Sequence, residues 1–204
     1  MHVPASLAEF VSRETLERLE AYVVLVAKWN KTINLVAKSQ VDEIWERHIW
    51  DSAQIWPLTQ GVDRHVDLGS GGGFPGIVLA SMSVGHGQST KFTLIESDMR
   101  KSVFLRTVAR ELSLPVMVAD RRFEMMPPQN AGRLTARAVA PLTNLLDAAT
   151  RHLAPDGLAV LPKGANWRAE VEEARQTWSF DLETHPSLTS PDAAVLVVKE
   201  IQRV

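Results

Sequence analysis

His65-Val-Asp-Leu-Gly-Ser-Gly-Gly-Gly-Phe-Pro-Gly76 joins a short strand to a helix through a run of glycines. It begins as a short apolar strand, Val66–Leu68, whose end carries an acid, Asp67, and continues with five glycines in the eight positions from Gly69 to Gly76. Glycine lets the backbone turn tightly and approach a ligand, because no Cβ stands in the way. Pro75 sits where a helix would start, a place that tolerates its missing N–H. Twenty-three residues after Gly73 a second strand, Phe92-Thr-Leu-Ile-Glu96, also ends in an acid. In doubly wound sheets the ligand lies beyond the carboxyl ends of the strands where strand order reverses, and a carboxylate ending the second strand can accept both hydroxyls of a ribose.

Outward from this loop, short β-branched runs alternate with helical segments. The pattern predicts strands at Val66–Leu68, Phe92–Glu96, Val116–Ala119, Leu134–Val139, Leu158–Leu161 and Ala194–Lys199, with helices near 76–83, 99–112, 141–152 and 167–176. Such alternation specifies an α/β fold, a mostly parallel sheet with helices on both faces. Only one helix and a loop with Pro186 and Pro191 separate the last two strands, a spacing that fits an antiparallel terminal strand. Before the sheet, Leu7, Phe10, Val11, Leu16, Leu19, Val23, Val26 and Ala27 recur at helical spacing, with a break near Ser12. Ser39 opens a further helix through Ile55, with Asp42 and Glu43 in its first turn and Pro57 beyond its end. The chain thus divides into an N-terminal helical extension, 1–60, and a sheet domain, 61–204.

The 204 residues contain no cysteine, which excludes disulfides, Cys-ligated zinc and a cysteine nucleophile. Apolar runs such as Tyr22–Ala27 fall far short of the ~20 residues needed to cross a bilayer, and Met1-His-Val-Pro4 has no basic, then apolar, leader pattern. A cytoplasmic protein without membrane association is expected. Histidine spacing suggests no metal site. Net charge is −2, yet residues 100–151 hold nine Lys/Arg against four Asp/Glu, whereas residues 1–60 hold six against eight. A local excess of this kind sets surface potential and is compatible with nucleic acid.

Two cofactors compete for the glycine loop. Gly71-x-Gly73-x-x-Gly76 satisfies the dinucleotide fingerprint formally. The loop starts earlier, however, as Asp67-x-Gly69-x-Gly71-x-Gly73, with an acid where a pyrophosphate gains nothing and a cationic sulfonium amino acid does. S-adenosylmethionine is therefore favoured over a nicotinamide or flavin dinucleotide.

The chain also resembles a known family, the bacterial glucose-inhibited-division-B group of small-subunit ribosomal RNA guanine-N7 methyltransferases. The resemblance rests on Trp29-Asn30 with Asn34-Leu35, Arg47-His48-x-x-Asp51-Ser52, Asp67-Leu-Gly-Ser-Gly-Gly-Gly-Phe-Pro-Gly76, Glu96-Ser-x-x-Arg-Lys101-x-x-Phe104-Leu105, Arg137-Ala138 before Pro141-Leu142, and Leu161-Pro-Lys-Gly164. It implies a Rossmann-like S-adenosylmethionine-dependent fold and methyl transfer to N7 of a guanosine in the 530 loop of 16S ribosomal RNA. By position it implies cofactor contacts at Gly69, Phe74, Phe123, Glu124 and Arg137, to which the reading of the loop adds Asp67, Gly71, Gly73 and Glu96. The family usually has a small residue where this chain has Phe123, preceded here by Arg121 and Arg122.

Guanine N7 carries a lone pair and no proton, so no general base is required and no catalytic residue is assigned; orientation is the main resource. RNA contacts are expected from Arg47, His48, Arg100, Lys101, Arg137 and Lys163, the partner being 16S rRNA or a small-subunit assembly intermediate, and the enzyme a monomer. His48 has a second reading, as a clasp holding the helical head to the sheet. Phe74 fits core packing or base stacking equally, and Trp29, Trp45, Trp50 and Trp56 are expected in the core of the head. The alternatives are a methyltransferase acting on a small molecule or protein, and a dinucleotide-binding module.

Overall fold

The computed structural model describes residues 3–204; Met1 and His2, on which part of the N-terminal reading falls, lie outside the described residues. The head begins with α1 (Ala5–Phe10) and α2 (Arg13–Trp29), separated at Ser12, whose hydroxyl caps α2 by accepting from the Thr15 N–H at 3.2 Å. Leu19, Tyr22, Val23 and Val26 form the buried stripe of α2. The helix expected from Ser39 to Ile55 is not continuous. It is a 3₁₀ turn (Lys38–Gln40), a π-helical stretch (Trp45–Trp50) running into α3 (Asp51–Ala53), and a separate α4 (Trp56–Thr59) that accommodates Pro57 in its first turn. The π register buries Trp45, Ile49 and Trp50 together while His48 and Asp51 turn toward the sheet. Trp56 is also buried and Trp29 packs at the edge of the same cluster, as expected of core anchors.

The sheet has seven strands in the order β3-β2-β1-β4-β5-β7-β6. These are β1 (Arg64–Leu68), β2 (Lys91–Ile95), β3 (Val116–Ala119), β4 (Ala131–Ala136), β5 (Leu153–Lys163), β6 (Trp178–Pro186) and β7 (Ala194–Arg203). The first five pair in parallel and β7 runs antiparallel to β5 and to β6. β1, β5 and β7 extend beyond their expected ends, and two further strands depart from expectation. β6 lies in what reads as a loop, although Trp178 and Phe180 point inward between exposed Ser179 and Asp181. β4 stops at Ala136 rather than Val139, because the chain bends away at Arg137 and Ala138 adopts φ +53°. That early stop creates a wall of the cavity described below.

Helices α5 (Gly76–Gly85) and α6 (Met99–Glu111) cover one face, where Ile77, Leu79, Leu94 and Phe104 share a core with the head residues Leu19, Tyr22 and Ile49. Helices α7 (Leu142–His152) and α8 (Trp167–Ala174) cover the other face over Val66, Leu68, Leu134 and Leu161. The head is thus packed into the first core.

Gly85 ends α5 directly against Ser12 and Thr15, and a Cβ there would overlap the buried Thr15 hydroxyl. Overpacking of this kind costs about 1–3 kcal/mol. Gly85→Ala should lower the thermal midpoint by roughly 2–4 °C for each kcal/mol. An unchanged midpoint would show that α2 does not seat this closely on α5.

Candidate functional site

Strand order reverses between β1 and β4, and a cavity of about 670 Å³ opens there, beyond the carboxyl ends of the strands. This size suits a small-molecule ligand. One wall is the glycine loop, lining it with Gly69, Ser70, Gly71, Gly72 and Phe74. Gly69 has φ +60°, and a Cβ on it would overlap the Val139 side chain. Glycine is therefore required twice over, by the left-handed backbone and by the close approach of the opposite wall. At Gly73, φ +98° brings the backbone against Ile77 and the Tyr22 hydroxyl, so this residue shapes the turn without lining the cavity.

Glu96, at the end of β2, is nearly buried and holds the loop by accepting from the Gly71 N–H at 2.8 Å through Oε2 and the Asp98 N–H at 2.7 Å through Oε1. Each carboxylate oxygen keeps a further lone pair free to accept, and Glu96 lines the cavity. The 3₁₀ turn Phe123–Met125 after β3 brings Phe123 and Glu124 to the same cavity.

Asp67 does not reach it. Strand alternation turns its side chain under α5, where Thr135 Oγ1 donates to Oδ1 at 2.7 Å and His65 Nε2 approaches the same hydroxyl at 2.9 Å. Oδ2 makes no close hydrogen bond among the described residues and lies 2.7 Å from where a Gly76 Cβ would stand, with the Ser70 hydroxyl and the Gly76 N–H beside the carboxyl partly offsetting its burial. Burial pushes the Asp67 carboxyl up to about 6 and the His65 imidazole down to about 3, the latter with help from Arg133. The expectation that Asp67 faces a cationic ligand is corrected accordingly: it braces the strand-to-helix turn from below.

The opposite wall is Arg137 to Pro141, anchored by the head. Arg137 Nη1 donates to Asp51 Oδ2 at 2.9 Å and to the Arg47 carbonyl at 3.0 Å, and Nη2 donates to His48 Nδ1 at 2.7 Å. Nε2 of His48 faces Gln40 Oε1 at 3.2 Å, completing the hydrogen-bonding of a neutral imidazole. Burial, then the neighbouring Arg137, push His48 down to about 4. Phe74 sits in this ring of groups, 5.3 Å from the Tyr22 ring, 4.9 Å from His48 and 5.4 Å from the Arg137 guanidinium, buried yet lining the cavity. Tyr22 in turn donates to the Gly72 carbonyl. The head also supplies Leu35, Val36 and Ala37, in a loop shaped by Asn30 Oδ1 accepting from the Leu35 and Val36 N–H groups at 2.8 and 3.0 Å.

The cations expected to meet RNA separate into bound and free. Arg47 pairs with Glu43, and Arg100 reaches Asp98 only at 3.8 Å and does not line the cavity. Lys163 is engaged by Glu170 at 2.6 Å and by the Ala140 carbonyl at 3.1 Å, with a side chain only 9% exposed, so it is corrected to a structural link between β5, α8 and the cavity wall. Lys101 does line the cavity. So do Arg121 and Arg122, exposed and without ion pairs among the described residues, which the motif reading left without a role. Asp51, Asn30 and Tyr22 were missed as well; the first two lie in motifs quoted above, and Tyr22 reads only as core. No group of metal-binding side chains is found, and no helix is long and apolar enough to cross a membrane, among the described residues.

A His held neutral by its fold loses its stabilising contribution as pH falls from its unfolded value near 6.5 through its folded value of about 4. His48→Gln keeps an acceptor for Arg137 and removes the titration. Across that window the thermal midpoint of the wild type should fall more steeply than that of the variant; parallel curves would refute the linkage.

A family model described as rRNA small subunit methyltransferase G matches residues 15–195. A ribosomal RNA small subunit methyltransferase G of Cereibacter sphaeroides is 50% identical over 195 residues, covering 95% of this chain and 94% of the relative. Among solved structures, M. jannaschii TYW2 in complex with AdoMet aligns with a TM-score of 0.58 at 15% identity, covering 85% of this chain and 80% of the other. A SAM-dependent methyltransferase from Aquifex aeolicus aligns with a TM-score of 0.58 at 15% identity, over 84% and 96% of the two chains. The fold is that of the S-adenosylmethionine-dependent Rossmann-like methyltransferases, and the chain belongs to the GidB family of small-subunit rRNA methyltransferases.

Proposed function

We propose that this enzyme transfers the methyl group of S-adenosylmethionine to N7 of a guanosine in the 530 loop of 16S ribosomal RNA, acting on the RNA or on a small-subunit assembly intermediate as a cytoplasmic monomer. The observation that carries the reading is the cavity at the strand-order reversal, with a glycine loop on one side and, among the described residues, cations without ion pairs lining it. S-adenosylmethionine, when bound, supplies an electrophilic methyl group. The residues fit such a group: Gly69 and Gly71 line the cavity through their backbone, with open space at Gly71, Glu96 keeps lone pairs for ribose hydroxyls, and Phe123 and Glu124 flank the adenine side. Residues 61–204 hold the cofactor, while the helical extension 1–60 closes the cavity and, through Asp51 and His48, sets Arg137 and Phe74.

No general base is needed at N7, and the cavity's residues act by orientation, which in well-ordered systems contributes ~7–11 kcal/mol. Lys101, Arg121 and Arg122 meet phosphates, and a base already unpaired in a loop enters with little unstacking cost. The cofactor is tested by calorimetry with S-adenosylmethionine, its demethylated product and NAD, where binding of NAD alone would sink the proposal. The target is tested by incubating the enzyme with small-subunit RNA, and in parallel with small subunits, from a strain lacking the modification and mapping N7 methylation chemically. A new mark is expected in the 530 loop; a cofactor-competent enzyme that leaves none there would defeat the assignment.

Arg121→Gln/Arg122→Gln removes two phosphate contacts. Single-stranded RNA contributes a slope of about −0.7 in log affinity against log salt for each neutralised phosphate, so the double variant should flatten the slope by about 1.4. An unchanged slope would place the RNA backbone elsewhere.

A further inference from the structure

We propose that Trp167 and Arg168 form a stacking subsite for an unpaired base flanking the methylated guanosine, an inference that rests on the rRNA substrate proposed above. Four arginine–aromatic pairs occur among the described residues, on Phe74, Trp167, Phe180 and Trp178. In three of them the ring is buried, which leaves no face for a ligand beyond the cavity already described. Trp167 alone is partly exposed, with the Arg168 guanidinium 4.3 Å from its ring centroid. Arg168 itself is exposed and has no acidic partner among the described residues. A π face carrying an unneutralised guanidinium is poorly suited to a protein core and well suited to a nucleobase beside a phosphate. Unpaired RNA bases stack on aromatic rings and on guanidinium planes alike.

Its place in the fold supports the same partner. Trp167 follows the exposed turn Gly164–Asn166 at the carboxyl end of β5, the edge of the sheet on which the cavity opens. The turn is fixed to the cavity wall: Lys163 Nζ donates to the Ala140 carbonyl, and Glu170, one turn beyond Trp167, accepts from the Leu142 N–H at 2.9 Å and pairs with Lys163. Ala140 and Pro141 line the cavity. Arg121 and Arg122 follow β3, four strand spacings from β5 in the sheet order, about 19 Å away. An RNA strand crossing the row of carboxyl ends therefore meets free cations at one end, the cavity in the middle, and the Trp167–Arg168 plate at the other end.

The test measures affinity for unmethylated small-subunit rRNA, KM for that RNA and affinity for S-adenosylmethionine in Trp167→Leu, Trp167→Phe and Arg168→Gln. Trp167→Leu keeps an apolar side chain against the core but loses the ring and should weaken RNA binding about tenfold, the scale of one lost base stack. Trp167→Phe should retain most of the affinity, Arg168→Gln should raise KM for RNA, and cofactor affinity should stay as in the wild type throughout. If Trp167→Leu and Arg168→Gln bind and methylate RNA like the wild type, the subsite is refuted while the substrate assignment stands. Loss of cofactor affinity in step with RNA affinity would equally refute it, as the mark of a merely structural role. If the wild type binds cofactor but neither binds nor methylates the RNA, whether free or within unmethylated small subunits, the substrate assignment fails and the subsite falls with it.

Discussion

The rest of the site depends on one ion pair, Arg137 with Asp51, at 2.9 Å with both side chains largely withdrawn from solvent. A charge in such a place is tolerated only with a partner, and stripping away the partner costs far more than the pair itself contributes. Asp51 belongs to the helical head and Arg137 follows β4, so lifting the head from the sheet would break the pair. Asp51 further accepts from Thr189 Oγ1 at 2.7 Å and from Gln54 Nε2 at 2.9 Å, while Gln54 Oε1 accepts from the Leu188 N–H. Head, β4 and the β6–β7 connection therefore meet at one carboxylate. From that point the geometry propagates: Arg137 fixes the bend after β4, the bend carries Val139 onto Gly69, and the glycine loop takes its place between them.

Buried titratable groups beneath and beside the loop pull in opposite directions with pH. Asp67, with its carboxyl raised to about 6, makes its contribution fully below its ordinary value near 3.8 and loses it as pH rises through 6. His48 and His65, lowered to about 4 and about 3, contribute fully above 6.5 and lose that on acidification. Between about pH 4 and 6 the contributions oppose one another.

Period and punctuation alone disclosed the glycine turn, the parallel strands and the helices between them, because each is set by local rules: short apolar runs, positive φ at glycine, apolar side chains at helical spacing. What local rules could not disclose was pairing. Lys163 and Arg121 are both simply basic in the sequence, yet one is consumed by Glu170 and the other faces solvent at the cavity mouth. Asp67 precedes the glycines just as a ligand-facing acid would, and only the strand's alternation, set by the whole sheet, turns it inward. The π-helical stretch escaped for the same reason, since its register answers to Arg137, which lies ninety residues beyond Arg47. β6 had a readable period at Trp178, Phe180 and Leu182, but charged outward residues masked it in a sequence without a partner strand in view.

The ion pair also bears on the chemistry proposed for this site. As N7 accepts a methyl group the purine becomes cationic, and a bare guanidinium nearby would oppose that charge, more strongly in a cavity than in water. Arg137 is not bare: Asp51 balances its charge, the Arg47 carbonyl takes another N–H, and His48 meets it as a neutral acceptor. The cation therefore orients Phe74 and the cavity wall at small electrostatic cost to the developing charge. Removing Asp51 alone would be worse for transfer than removing both partners, because it would leave the wall in place with its positive charge uncompensated.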